Sequence, residues 1–93
     1  MSTLRSEFLE IVSASQTDYQ VIDLSGAVES VFTLKPLTAS GNLTNEPYAN
    51  SPRLHISDQM TQPLVTRSND NRLYWVSAEP SESVLQVWVI RRG

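Results

Sequence analysis

The closing stretch of the sequence, RLYWVSAEPSESVLQVWVIRRG, constrains the fold more than any other segment. Two apolar runs flank a short polar connection, and both are rich in the β-branched and aromatic residues that favour strands. Written as an antiparallel hairpin, with Trp75 opposite Gln86, the runs carry large apolar side chains on both faces. One face would hold Tyr74, Val76, Leu85, Val87 and Val89, and the other Leu73, Trp75, Val84, Trp88 and Ile90.

The first of these faces is the more aliphatic, and we expect it to line the main core. The second face needs a cover of its own, because an exposed patch with both tryptophans would promote aggregation. Two covers are open: a helix from the N-terminus of the chain, or a neighbouring subunit. The candidate interface residues are therefore Leu73, Trp75, Trp88, Ile90, Leu4 and Phe8.

Residues 1–15 are predicted to form an α-helix. Leu4, Phe8, Ile11 and Val12 recur at helical spacing and would form one apolar stripe. Ser2 or Thr3 could cap the helix. A helix of this length is marginal in water, so its stripe would have to dock on the rest of the protein.

The periodicity changes to two after this stretch, and residues 18–92 are predicted to form a β-domain. The segments DYQVIDLSG, AVESVFTLKPL, RLHISD and PLVTR read as strands, and the last of them ends at a turn signal in 68–71. Residues 38–52 are rich in Ser, Asn, Thr, Gly and Pro and are predicted to form a long loop. The fold class that follows is mainly β: a small antiparallel β-sandwich or barrel with one N-terminal α-helix, in a single domain over 1–93.

The charge balance argues against nucleic acid as a partner. Ten acidic residues against seven basic ones give a net charge of -3, the wrong sign for binding phosphates without sequence preference. No apolar run approaches the length of a membrane span, and the N-terminus lacks the features of a signal peptide, so we expect a protein made in the cytoplasm with no membrane contact. There is no cysteine, and therefore no disulfide or thiolate metal site.

No set of residues indicates catalysis, a metal or a cofactor. His55 is the single histidine and lies between two apolar residues on a predicted strand, where it would point outward. Glu79 and Glu82 bracket Pro80 in an exposed turn, where carboxylates keep ordinary pKa values. The three glycines are far apart, so no phosphate-binding loop is available. We therefore expect no catalytic residues, no metal site and no cofactor, and a protein that is not an enzyme.

The order of strands over residues 28–93 resembles that of small β-sandwich virion proteins of tailed bacteriophages. The resemblance is carried by VFTLKPLTASGN, a loop, PRLHISD, and then NRLYWVSAEPSESVLQVWVIRRG. The virion proteins concerned are capsid cement or decoration proteins and related head and tail accessory proteins. The resemblance implies a noncatalytic protein that bridges capsid subunits, frequently as a trimer.

The expected function is accordingly that of a bacteriophage structural protein, a cement protein bound to the capsid in the virion. Its partners would be the major capsid protein or another virion protein, together with further copies of itself. The alternative is a small acidic phage inhibitor or adaptor that binds a host protein. The two differ in location, because a virion component accompanies the particles and an inhibitor does not.

Overall fold

The computed structural model describes residues 4–57, 64–66 and 72–92. Within these ranges the chain is built from β-strands and contains no helix, which confirms the mainly β prediction. The eight strands are β1 (Leu4–Ser13), β2 (Gln20–Asp23), β3 (Ala27–Leu34), β4 (Gly41–Thr44), β5 (Arg53–Ile56), β6 (Leu64–Thr66), β7 (Arg72–Ser77) and β8 (Ser83–Arg92).

The strands form two four-stranded sheets in which every pairing is antiparallel. The β8 sheet has the order β1-β8-β3-β6, and the β7 sheet has the order β2-β7-β4-β5. This is the strand order of an eight-stranded jelly roll, in which β4 and β5 are neighbours in one sheet and all other successive strands lie in opposite sheets. Of the two predicted architectures, the sandwich is the one observed.

The core lies between the two sheets and is made by alternate residues of each strand. From β8 it receives Leu85, Val87 and Val89, which are fully buried, as predicted. Tyr74 and Val76 were predicted to line the same core, but they alternate with Trp75 along β7 and do not belong to the core cluster. Leu9 and Ile11 of β1 pack against the same cluster. The remaining buried members are Ile22, Leu24, Ala27, Phe32, Leu43, Ile56 and Trp75.

The predicted N-terminal helix is wrong, because residues 4–13 form β1. This strand pairs with β8 along its whole length, from Leu4 opposite Arg92 to Ser13 opposite Ser83. Leu9 and Ile11 face the core while Phe8 and Val12 face outward, so apolar residues occur on both faces. A strand that is apolar on both faces has no clear period of two, and its apolar residues can fall at helical spacing. Residues 1–3 lie outside the described part of the chain.

The predicted hairpin between residues 72 and 92 is also wrong. β7 and β8 are both strands, but they belong to opposite sheets, and the connection over 78–82 crosses from one sheet to the other. The indole Nε1 of Trp75 donates to the carbonyl oxygen of Ser83 at 3.2 Å. The backbone N–H of Ser77 donates to Oγ of Ser13 at 2.9 Å. These bonds join the sheets at the end where the hairpin was expected.

The predicted loop over 38–52 contains a strand. Residues Gly41–Thr44 form β4, which lies between β7 and β5 and is buried along its length. Its sequence, GNLT, has the composition of a turn, and only its pairing with two neighbours makes it a strand. The parts of the prediction that remain outside strands are residues 38–40 before β4 and residues 45–52 after it. The turn predicted at 68–71 lies outside the described residues.

Truncating Val87 to alanine is expected to lower the free energy of unfolding by about 1 to 3 kcal/mol, because the lost methyl groups leave a cavity in a close-packed interior. Val87 is fully buried and lies opposite both Leu9 and Phe32 in the β8 sheet. Denaturant titration measures the change. An unchanged midpoint would contradict the position of Val87 in the core.

Candidate interaction surface

The β8 sheet carries an apolar surface on the side away from the core. Side chains alternate along β8, so Leu85, Val87 and Val89 point inward and the residues between them point outward. Some outward apolar residues of the β8 sheet remain at least partly exposed. We call this set of residues the outer apolar face. Its members are Leu4, Phe8 and Val12 of β1, Val31 of β3, and Trp88 and Ile90 of β8.

Phe8 and Trp88 form the centre of the outer apolar face. They are cross-strand partners, their ring centroids are 4.6 Å apart, and the ring planes are inclined by 47°. Aromatic pairs at this separation attract each other beyond their burial of area. Phe8 nevertheless remains 42% exposed and Trp88 49% exposed. Two large rings therefore present about half of their surfaces to solvent in one place.

The pairing of the strands places the aromatic pair in an apolar row that crosses three strands. Val31 of β3 lies opposite Trp88 on the side away from Phe8. Ile90 is the next residue after Trp88 on the same face of β8. Val12 lies four residues from Phe8 along β1, at one end of the face, opposite Val84. Because β8 runs between β1 and β3, Trp88 has apolar neighbours on both adjacent strands and Ile90 on its own strand, while Gln86 on its other side is polar.

On the Val12 side, a polar row of Glu10, Gln86 and Thr33 borders the aromatic pair, and Val12 lies beyond this row. The ammonium of Lys35 lies 3.7 Å from Oε2 of Glu10, and the amide of Gln86 donates to the same oxygen at 3.2 Å. Both charged side chains are well exposed, so their pairing adds little to stability. An apolar centre with a polar border is the usual anatomy of a protein interface.

Four of the six predicted interface residues lie together on this surface: Leu4, Phe8, Trp88 and Ile90. The other two do not. Trp75 is fully buried in the core, and Leu73 packs against the same core from β7. Sequence reasoning put Val12 on a helix and left Val31 out of the interface set, although the alternation in SVFTL placed Val31 opposite to Phe32.

The outer face of the β7 sheet is different. His55 Nδ1 lies 3.1 Å from Oδ1 of Asn42, and the His55 side chain is exposed, as expected. Val21 is the exposed large apolar residue on this face, opposite half-buried Tyr74. The described part of the β7 sheet thus presents a more polar surface, and the asymmetry singles out the β8 sheet.

A groove of about 200 Å³ at one end of the sandwich is lined by Arg5, Ser6, Glu7 and Arg91. Arg91 is held there: its Nε lies 3.5 Å from Glu7, and its guanidinium donates to the carbonyl oxygens of Ser25 and, at 2.8 Å, Asp23. The pKa of Asp23 is lowered, first by hydrogen bonds from the backbone and side chain of Ser25 and then by nearby arginines. Arg91 thus joins β8 to β1 and to the turn that follows β2.

The turn that follows β3 exposes a leucine in an unusual conformation. Leu37 has a φ of 69° and projects fully into solvent after Pro36. Thr38 closes the turn with a backbone bond to Lys35 at 3.4 Å. This position of a proline-containing turn ordinarily takes glycine, because a Cβ is disfavoured at positive φ. The earlier assignment of Leu37 to a strand is therefore wrong.

The described residues offer few candidates for a metal site, a membrane span or a titratable site. In residues 4–57, 64–66 and 72–92 there is no group of three or more His, Cys, Asp or Glu side chains that could hold a metal ion. The same ranges contain no helix long and apolar enough to cross a membrane. Tyr48 donates a short hydrogen bond to Glu46 in an exposed loop, and this bond raises the pKa of Tyr48.

No protein-family model matches the chain, and no curated protein is similar to it in sequence. Among solved structures, the chain is similar to a subunit from work on Bacillus endospore appendages, described as a novel family of disulfide-linked pili. The superposition has a TM-score of 0.56 and covers 99% of this chain and 90% of that chain, at 10% sequence identity. At this identity the similarity establishes a shared fold.

Proposed function

We propose that this protein is a noncatalytic structural subunit that is held in a multi-subunit particle, and that the particle is a tailed bacteriophage, with the protein as a cement or decoration protein on its capsid. The observation that carries the proposal is the outer apolar face around Phe8 and Trp88. A surface of this kind has a physical reason to exist where another protein covers it.

The contrast between the two sheets supports an interface rather than incidental exposure. Single apolar residues on a surface are common, as Val21 is here. Phe8, Trp88 and Val31, by comparison, are adjacent on three neighbouring strands. Aromatic residues are enriched at the buried centres of interfaces, and tryptophan is among the residues whose truncation costs the most binding free energy.

Fold-level analogy points in the same direction. Jelly rolls occur in viral capsid proteins, although they also occur in lectins and cupins, so the fold by itself does not select the function. The solved structure with a similar fold comes from work on Bacillus endospore appendages, which are described as disulfide-linked pili. The present chain has no cysteine, so its own assembly would rest on noncovalent contacts and not on disulfide links.

The test is whether the protein accompanies particles. Particles released from the source culture are banded on a density gradient, and the copies of this chain per particle are counted by quantitative mass spectrometry. We expect many copies per particle, and a large loss of copies for Trp88→Ser but not for the matched variant Val21→Ser on the other sheet. Recovery of the chain only as free protein, or bound one to one to a host protein, would contradict the proposal and favour the inhibitor or adaptor.

A further inference from the structure

We infer that the outer apolar face binds a second copy of this chain, face to face about a two-fold axis that passes through Trp88 along β8. This inference rests on the proposed function in that it names one contact of the structural subunit. It is carried by the order of the strands, by the positions of the charges and by the area of the face.

The strand order makes the face self-complementary. β8 lies between β1 and β3, so an axis along β8 places β1 of one copy over β3 of the other. Phe8, Trp88 and Val31 form one row across these strands. In the pair, Trp88 would meet the partner's Trp88, and Phe8 would meet the partner's Val31 on either side. Each contact occurs twice, as a two-fold interface requires, and the strands of the facing sheets would be nearly aligned.

The charges on the face agree with this arrangement. Lys35 follows β3 at the level of Val84, to which its backbone N–H is bonded at 2.9 Å. The strand over it would be the partner's β1, with the partner's Glu10 two residues, or about 7 Å, further along. A lysine side chain can span that distance. Lys35 also lies 3.7 Å from Glu10 of its own chain, so in the pair its ammonium would be shared between its own Glu10 and the partner's. Both copies would contribute one such pair, and Glu29, opposite Ile90 in the β8 sheet, would lie over the partner's Ser6 and not over another carboxylate.

The area predicts a weak pair. Three strands at about 4.8 Å spacing, with about 3.4 Å per residue along the ten residues of β8, give a face of about 500 Å². The two copies together would bury about 1,000 Å², at the lower limit of specific interfaces. The expected dissociation constant is therefore in the micromolar range, and within a particle the high local concentration would favour the pair.

The geometry supports a two-fold pair better than the trimer expected from the resemblance. A three-fold ring joins two different patches of each subunit. The described residues present one extended apolar face, and the other exposed large apolar side chains are dispersed: Val21, Leu37, Tyr48 and Leu54. A single self-matching patch closes on itself as a dimer.

Sedimentation equilibrium of the intact chain, from about 1 µM to about 1 mM, tests the inference. We expect a reversible transition from monomer to dimer, with a blue shift of tryptophan emission as Trp88 becomes covered. Trp88→Ser should weaken association by about 30-fold or more, as for an interface hot spot. The matched variant Val21→Ser should leave it unchanged. A persistent monomer, a trimer, or equal loss in both variants would overturn the inference.

Charge reversal tests the two-fold geometry itself. Glu10→Lys and Lys35→Glu each place like charges together in a homodimer, and each should associate about tenfold more weakly than the intact chain. Mixed in equal amounts, they should form a heterodimer, because every Lys would then meet a Glu of the partner. Absence of preferential heterodimers in native mass spectrometry would overturn this axis. A monomer in solution that still accompanies particles would overturn the pair and leave the proposed function standing.

Discussion

Replacing Trp75 by alanine is expected to lower the free energy of unfolding by about 3 to 5 kcal/mol, the range measured when a large buried aromatic side chain is removed from a core. Trp75 is fully buried and is the largest side chain in the core between the sheets. Its indole also donates to the carbonyl oxygen of Ser83 at 3.2 Å, across the connection between β7 and β8. The substitution thus removes both a large contact area and a bond between the sheets.

Trp88→Ala is the matched control, since it removes the same side chain from the half-exposed position on β8. We expect a smaller loss, about 1 to 2 kcal/mol in dilute protein where few copies are paired, because Trp88 is half exposed and its described ring contact is with Phe8. Trp75→Phe keeps most of the volume, so it provides a folded variant if the alanine protein does not fold. Denaturant titration at low concentration measures all three. Equal losses at Trp75 and Trp88 would contradict the different environments of the two tryptophans.

The inward and outward sides of β8 could be predicted from the sequence. VLQVWVI alternates, and Leu85, Val87 and Val89 were assigned to the core because they belong to the more aliphatic face of the predicted hairpin. The same reasoning put Trp88 and Ile90 on a face that needs a cover. Local alternation fixes which side chains share a face whatever the strand pairs with. These assignments therefore did not depend on the topology.

The pairing of strands could not be predicted in the same way. A polar connection such as AEPSES can close a hairpin within one sheet or cross between two sheets, and its residue types suit both. If β7 and β8 formed a hairpin, residues opposite each other would share a face of the sheet. This assumption placed Trp75 on the same face as Trp88. In the sandwich, β7 pairs with β2 and β4 instead, and the side with Trp75 faces the core. The error at Trp75 followed from topology and not from composition.

The prediction of an N-terminal helix was wrong for a related reason. Leu4, Phe8 and Val12 have helical spacing because they belong to the outer apolar face, while Ile11 belongs to the core. Only β8, about eighty residues further along the chain, decides that this stretch is a strand. A period of two becomes visible to sequence reasoning when one face of a strand is polar. The outward apolar residues of β1, which form part of the proposed interface, are thus the reason why this segment was predicted to be a helix.

Gly41 is the position at which the missed strand β4 has its largest consequence. Gly41→Ala is expected to lower the free energy of unfolding by about 3 kcal/mol, at the upper end of the usual cost of overpacking. A Cβ built on Gly41 would lie 2.4 Å and 2.6 Å from two carbon atoms of the Trp75 ring and 2.8 Å from the carbonyl oxygen of Val76. The ring is fully buried and the carbonyl belongs to the neighbouring strand, so neither can move away easily.

Gly26→Ala separates this steric effect from the backbone preference of glycine. Gly26 has a φ of 73° and open space around its Cα, so alanine there is disfavoured by the dihedral angle alone, at about 1 to 2 kcal/mol. At Gly41 the cost comes from contact with Trp75, and it should fall by about 1 kcal/mol when Trp75→Phe removes the outer ring. A double-mutant cycle measured by denaturant titration gives this coupling. Strict additivity, or a loss at Gly41 no larger than at Gly26, would contradict close packing of the ring on β4.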